Sequence, residues 1–257
     1  MFPVSTRIAF FATVPFLLIS AYSQAQNKER PSVIQALEAQ GLDVIKEFDV
    51  GSGLRAFATA AGDRPIAVYV TSDGKAIVGT RVDATGESID EKTLQNLVAK
   101  PMDDKAWAQM ESATWVLDGK ADAPRIIYAF SDANCPYCHK FWEAARPWVE
   151  SGKVQLRHLL VGVIKADSPA KAAAILGARD SSAAFAENER KFNRGGITPA
   201  ENVPDDVLKT LKKHQMLMYS MGFQGTPGIV VRESDGQVKK FNGMPQGEML
   251  SEVLGPR

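Results

Sequence analysis

At 257 residues, with 45% hydrophobic and 23% charged side chains, the chain has the composition of an ordinary globular protein with room for one large or two small domains. Basic and acidic residues balance at 30 each and no basic run stands out, which argues against nucleic acid or an anionic membrane surface as partner. The cysteines number two, too few for a small scaffold stapled by disulfides.

The chain opens with Arg7, the apolar run from Ile8 to Ser20, and then Ser23-Gln24-Ala25, a small-x-small site that a signal peptidase could cut. That run is shorter than the roughly 20 residues that span a bilayer, and no stop-transfer pattern follows. Residues 1–25 therefore read as a signal peptide, with an uncleaved anchor as the alternative. No later stretch is long and apolar enough to cross a membrane, so the mature protein is expected to be exported, soluble and without stable membrane insertion. Losing Arg7 with the leader leaves it within one charge of neutral.

Residues 26–86 read as a small module of one helix and several strands. From Ser32 to Gln40, Val33, Ile34 and Leu37 share one helical face, and Gly41 is a natural stop. Strand-like runs follow over residues 42–50, 54–60, 66–71 and 75–82, the last two flanking Asp73-Gly74, a dipeptide suited to a tight hairpin turn. About 60 residues of this kind make a marginal core, and pairing with a second copy is a common remedy. Residues 87–117 turn helical and read as a linker, broken by Pro101 with Asp103 or Asp104 as a cap.

From residue 118 to residue 257 the order is strand (125–130), a Cys-x-x-Cys motif, helix (139–150), strand (154–160), a helical insertion at about 165–222, strand (228–232), a hairpin at Asp235-Gly236, strand (238–241) and a final helix (246–254). A βαβ unit followed by a β-hairpin and a helix is an α/β arrangement, interrupted here by the inserted helices.

The chemistry centres on Cys135-Pro136-Tyr137-Cys138. A disulfide across so short a loop removes little unfolded-state entropy, so it is a poor staple and a better reagent. A free thiol with a pKa of about 8.5 is only a few per cent ionised at pH 7. At a strand-to-helix junction, however, unpaired N–H groups and the helix dipole favour the anion. Pro136 suits the first helical turn, and Cys138 would lie one turn below Cys135, within disulfide reach. Cys135 is thus the expected nucleophile and Cys138 the resolving thiol. Were the pKa to fall to about 5, a roughly thirtyfold gain in thiolate would be nearly cancelled by lower intrinsic nucleophilicity, leaving better leaving-group behaviour as the net effect.

Two other readings of the motif stand beside this redox centre. With His139 it also fits Cys-x-x-Cys-His, the attachment pattern of c-type haem, although the flanking strand and helix are foreign to such a site. A metal site is weaker still, because His158 and His214 are far off in sequence and two thiolates do not complete tetrahedral zinc. No cofactor is expected beyond a redox-active Cys135–Cys138 disulfide. Thr226-Pro227 stands before the strand at 228–232. Such a proline is often a mere turn residue, but in a thioredoxin-like domain it is a cis-proline facing the dithiol, where an extended client peptide pairs with the backbone. Thr226 and Pro227 are therefore candidate substrate-side residues, with Pro136 and Tyr137 at the mouth.

These features together, with stretches such as WVLDGKADAP and FWEAARPWVESGKVQLRHLLVGVIKADSPAKAAAIL, resemble the bacterial periplasmic DsbC/DsbG family of thiol:disulfide interchange proteins, and its DsbG branch more closely. The resemblance spans essentially the whole mature chain. It implies an α+β chain: a C-terminal thioredoxin-like domain with a helical insertion, and an N-terminal cystatin-like dimerisation domain on a helical linker. It also implies a V-shaped homodimer that isomerises wrong disulfides or reduces oxidised single cysteines, including sulfenic acids, in periplasmic client proteins. Chaperone activity and a DsbD-like membrane reductant follow from the same likeness. A monomeric DsbA-like oxidase and a holdase with a secondary redox role are the alternatives.

The remaining candidates have bland readings. His139, four residues after Cys135, either stabilises its thiolate or is an exposed helix residue without effect. Phe141, Trp142 and Trp148 read as core. Met216, Met218 and Met221 fill a core or form an adaptable surface. His158 in a strand and His214 on a basic helix face need no functional account.

Overall fold

The computed structural model describes residues 30–256, apart from 52 and 63. The expected signal peptide lies outside the described residues.

Helix α1 (Ser32–Ala39) ends where Gly41 takes a φ of 96° and its N–H returns to the Glu38 carbonyl, the left-handed exit the sequence signalled. Its Ile34 packs on Phe57, Val68 and Val70 of an antiparallel meander. That sheet has the order β1 (Asp43–Phe48), β2 (Arg55–Ala61), β3 (Arg64–Val70) and β4 (Ala76–Val78). β4 is much shorter than the expected 75–82. Beyond Val78 the chain leaves the sheet because Arg81 turns inward to Asp90, with Nε 2.6 Å from Oδ2, and the Tyr69 hydroxyl donates to the same carboxylate at 2.7 Å. Burial and that bond push the Tyr69 pKa up to about 12, while the Arg81 guanidinium holds Asp90 below the usual carboxylate range.

The linker is one continuous helical run: α2 (Glu91–Leu94), a π turn (Gln95–Ala99) and α3 (Lys100–Ser112). The break expected at Pro101 does not occur. Proline lacks an N–H and its ring crowds the carbonyl four residues back. The wider π turn just upstream takes up that mismatch, so the helix continues. Asp103 and Asp104 do not cap it. Asp104 instead pairs with Arg232 at 2.7 Å, and Asp103 lies 3.9 Å from Lys240. With Trp107 edge-on to Tyr128 at 4.9 Å between centroids, these contacts fasten α3 to the second sheet.

That sheet runs β5 (Val116–Asp118), β7 (Val154–Leu160), β6 (Arg125–Ser131), β8 (Gly228–Arg232), β9 (Val238–Asn242) in spatial order. β6 and β7 are parallel and every other pair is antiparallel. Strand β5 was not expected, since residues 116–118 had read as linker end and domain start. Alternation along β6 sends Ile127 and Ala129 toward α4 (Pro136–Glu150) and α8 (Glu248–Leu254), and Tyr128 and Phe130 toward α3 and α7 (Asp205–Ser220). Burial on both faces makes β6 the centre of the domain. Between β7 and β8 the inserted helices are α5 (Ser168–Leu176), α6 (Ser181–Arg190), a 3₁₀ turn (Phe192–Arg194) and α7. Phe141 and Trp148 are core, as expected, and Trp142 is half-buried. The methionines divide: Met218 and Met221 are core, while Met216 is 62% exposed.

Candidate active site

Three segments converge at one end of the second sheet. Residues 132–135 leave β6, residues 161–167 leave its parallel neighbour β7, and residues 224–227 enter antiparallel β8. Cys135 is extended (φ −81°, ψ 114°) and stands as the N-cap of α4, its sulfur accepting the backbone N–H of Cys138 at 3.2 Å. A sulfur thus occupies the position usually held by a serine or aspartate oxygen, at the positive end of a 15-residue helix. Pro136 opens that helix, where its missing N–H costs nothing. The Thr226–Pro227 bond is cis, and the Thr226 carbonyl accepts the Cys135 thiol at 3.4 Å. Just beyond, a Cβ on Gly228 would come within 2.8 Å of the Phe223 ring, so the backbone there runs directly over that side chain. The structure therefore brings Cys135, Cys138, Thr226 and Pro227 together, with Tyr137 55% exposed beside them and the Lys140 ammonium 5.3 Å from its ring.

The two thiols are both free and buried, but their chemistry differs. The Cys135 pKa falls from the ordinary 9.0 to about 7. Hydrogen bonding from Cys138 is the largest cause, burial opposes it, and the Thr226 side chain and the N–H groups of Cys138 and Tyr137 add to the lowering. Cys138 moves the other way, raised well above 9.0 by burial first and then by the neighbouring sulfur. The pair can thus offer one nucleophilic thiolate and hold one proton.

The turn before Cys135 is fixed by a polar network that no sequence motif announced. The carboxylate of Asp132, 1% exposed, accepts the N–H of Asn134 and the hydroxyl of Ser168 on one oxygen, and the N–H groups of Val163 and Ile164 on the other. The Asn134 side chain donates to Asp167 and Ser168 and accepts from the buried Lys171 ammonium at 2.7 Å. Asn188 of α6 donates to the Ala133 carbonyl at 3.1 Å. The available signal was Asp-x-Asn directly before a helix, residues that favour side-chain-fixed turns.

His139 corrects its expectation as an exposed residue. It is 7% exposed, its ring stacked on Phe192 at 4.4 Å and facing Trp142 at 6.1 Å. Its Nδ1 lies 2.9 Å from Glu189 and its Nε2 3.5 Å from Glu143. Both nitrogens are directed at carboxylates, which suits neither an axial haem ligand nor a partner of Cys135. Glu189 is raised chiefly by burial, with His139 and Asn188 opposing. His158 is buried against Phe185 and bonded to Ser131 at 2.9 Å. His214 also faces inward rather than lying on a basic face, bonded to the Leu160 carbonyl at 2.8 Å, and burial lowers its pKa.

Residues 118–255 match the family described as a thioredoxin-like domain. Over 241 residues the chain is 40% identical to the thiol:disulfide interchange protein DsbG of Pseudomonas aeruginosa, covering 93% of this chain and 94% of the relative. DsbG of Escherichia coli is 38% identical over 229 residues, with 89% and 92% covered. DsbC of Escherichia coli is more distant, at 26% over 223 residues. Among solved structures, the catalytic domain of Proteus mirabilis ScsC aligns with a TM-score of 0.51 at 20% identity, covering 60% of this chain and 96% of that one, a likeness of fold alone.

Proposed function

Because the chain belongs to the DsbG family of thiol:disulfide interchange proteins, we propose that its dithiol isomerises and reduces client disulfides in the periplasm, with Cys135 attacking and Cys138 resolving. The observation that carries this reading is the Cys135 sulfur standing as N-cap of α4, accepting the Cys138 N–H at 3.2 Å and lying 3.4 Å from the Thr226 carbonyl beside a buried Cys138, an arrangement that lowers the Cys135 pKa to about 7 and raises that of Cys138. The Cys135 thiolate attacks one sulfur of a client disulfide, forming a mixed disulfide and expelling the other as thiolate. If that thiolate attacks a different client disulfide and Cys135 is later displaced, pairing changes with no net electron transfer. If Cys138 attacks instead, its proton passes to solvent or the departing sulfur. The client leaves as thiol, and two electrons have moved, leaving a Cys135–Cys138 disulfide. A DsbD-like membrane reductant then restores the dithiol. A client sulfenic acid reacts in the same way, its oxygen leaving as water after taking up a proton. The backbone beside Cys135 at Thr226 and Pro227 receives the client segment, and Pro136 and Tyr137 border it.

Export by a cleaved leader at residues 1–25 belongs to this reading. No helix among the described residues is long and apolar enough to cross a membrane. Given reduced protein and a glutathione buffer, ribonuclease with scrambled disulfides is expected to regain activity at a rate that scales with the reduced protein. An unchanged rate would overturn the isomerase reading.

We also propose a homodimer formed through the N-terminal modules, with chaperone activity residing in the space between the catalytic domains. β4 supports it: a three-residue edge strand with Ile77 and Val78 55% and 56% exposed. An edge with open backbone groups and bare aliphatic side chains is a template for pairing with a second chain. In sedimentation equilibrium, I77D/V78D is expected to be monomeric where the parent is dimeric. A variant that remains dimeric would place the contact elsewhere.

A further inference from the structure

We infer that Val163 and Ile164 form a fixed apolar lip beside Cys135 that selects clients carrying an apolar residue next to the oxidised cysteine. This inference deepens the proposed function and rests on it.

Topology puts the lip in place. Cys135 follows the central strand β6, and the two strands flanking β6 each bring one segment to the same end of the sheet. On the β8 side stands the Thr226 carbonyl, a backbone contact that any peptide can use. On the β7 side stand Val163 and Ile164, 41% and 43% exposed and consecutive. Single exposed aliphatic residues are ordinary on any surface. These two differ because their backbone is held from within. Both N–H groups are accepted by one oxygen of buried Asp132, whose other oxygen accepts the N–H of Asn134, the residue before Cys135. The turn is closed on its other flank by Gly162, where an added Cβ would meet Pro169 at 3.0 Å. A single carboxylate therefore sets both the nucleophile's loop and the apolar pair, so the pair does not have to be ordered when a client arrives. The charged neighbour Lys165 follows them, and the turn offers no acidic side chain before Asp167.

The test uses two peptides that differ only in the residues flanking one cysteine, leucine in one and serine in the other, each carrying glutathione on that cysteine as a mixed disulfide. Reduced full-length protein attacks the peptide sulfur, expels glutathione thiolate, and releases peptide thiol as Cys135–Cys138 closes. Peptide release followed by chromatography, with peptide in excess, gives the second-order rate constant for this single turnover of the reduced protein. The leucine peptide is expected to be preferred by roughly tenfold, the scale on which an apolar contact discriminates, and V163S/I164S to bring the ratio toward one. Each single variant, V163S and I164S, should lower the ratio partway, with the pH midpoint of Cys135 alkylation confirming that the nucleophile is still set. Equal rates on both peptides, or a preference that survives in the double variant, overturns the lip. If the parent protein releases neither peptide, the proposed exchange function fails instead.

Discussion

Replacing Cys135 with serine will lower disulfide exchange by roughly a thousandfold or more, because a hydroxyl at neutral pH supplies no equivalent of the thiolate. Replacing Cys138 with serine will instead leave attack intact and arrest the reaction as a mixed disulfide, visible as a client-protein adduct that a reductant dissolves. The pH dependence separates the two sulfurs. Alkylation of Cys135 is expected to rise with a midpoint near 7, against 9.0 for an ordinary thiol, while Cys138 stays unreactive across that range. At pH 7 the shift raises the thiolate fraction about fiftyfold, and a Brønsted slope of about 0.45 over two pH units takes back roughly eightfold, leaving a net gain of about sixfold. This is a milder poise than a pKa of about 5 would give, and the gain in attack no longer cancels. Stability follows the same groups. A depressed Cys135 pKa stabilises the reduced fold as pH rises from about 7 to 9.0, and that contribution is lost again as pH falls through 7. Above 9.0 the trend reverses, because the unfolded chain ionises Cys138 and the native one does not. Reduced protein compared with C135S by urea unfolding should therefore gain, by about 1–2 kcal/mol, between pH 7 and 9. A flat difference would mean that Cys135 is not held as described, and an alkylation midpoint at 9 would mean the same.

The second large effect is expected at a residue that touches no client. Asp132→Ala removes the acceptor of four bonds, leaving the N–H groups of Asn134, Val163 and Ile164 and the Ser168 hydroxyl without it. Hydrogen bonds to a charged group contribute about 1.5–3 kcal/mol each, but relaxation and entering water recover part of the sum, so a loss of about 3–5 kcal/mol is expected. Asp132→Asn keeps one acceptor oxygen and should lose less. Urea unfolding of both variants checks this. A loss under about 1 kcal/mol for the alanine variant would show that the network is dispensable. An alkylation midpoint for Cys135 that moves up in the same variant would tie the network to the nucleophile's setting.

What could be read in advance followed from local rules. The meander, β6 through α4, the hairpin at Asp235-Gly236 and the dithiol at a helix start each rest on short-range periodicity or on a turn residue with a stated conformational need. The misses share a different cause. β5 has three residues, too few for alternation to show, and it exists because β7 offers it an edge. The burial of His139 depends on Glu189 and Phe192, about fifty positions away, which the inserted helices bring against α4. Nothing local marks Asp132, because the groups it accepts from Val163, Ile164 and Ser168 lie 31 to 36 positions further along the chain. Pro101 was read by a rule that holds for a regular ladder, and the ladder there is not regular.

The helix built around that irregularity has a mechanical consequence. Leu97 and Val98 belong to the N-terminal sheet's packing, whereas Ala106, Trp107 and Met110 belong to the catalytic domain. Met102, just past Pro101, also packs on the N-terminal sheet, and the next two residues, Asp103 and Asp104, reach Lys240 and Arg232, so the changeover falls between Met102 and Asp103. Beyond Met102, residues 103–112 of α3 extend about 15 Å at 1.5 Å per residue. A pivot of about 10° at that joint would swing the far end of this arm by roughly 2.5–3 Å, a little less than the roughly 3.3 Å rise of one residue along a strand, while leaving the contacts around the sulfurs untouched.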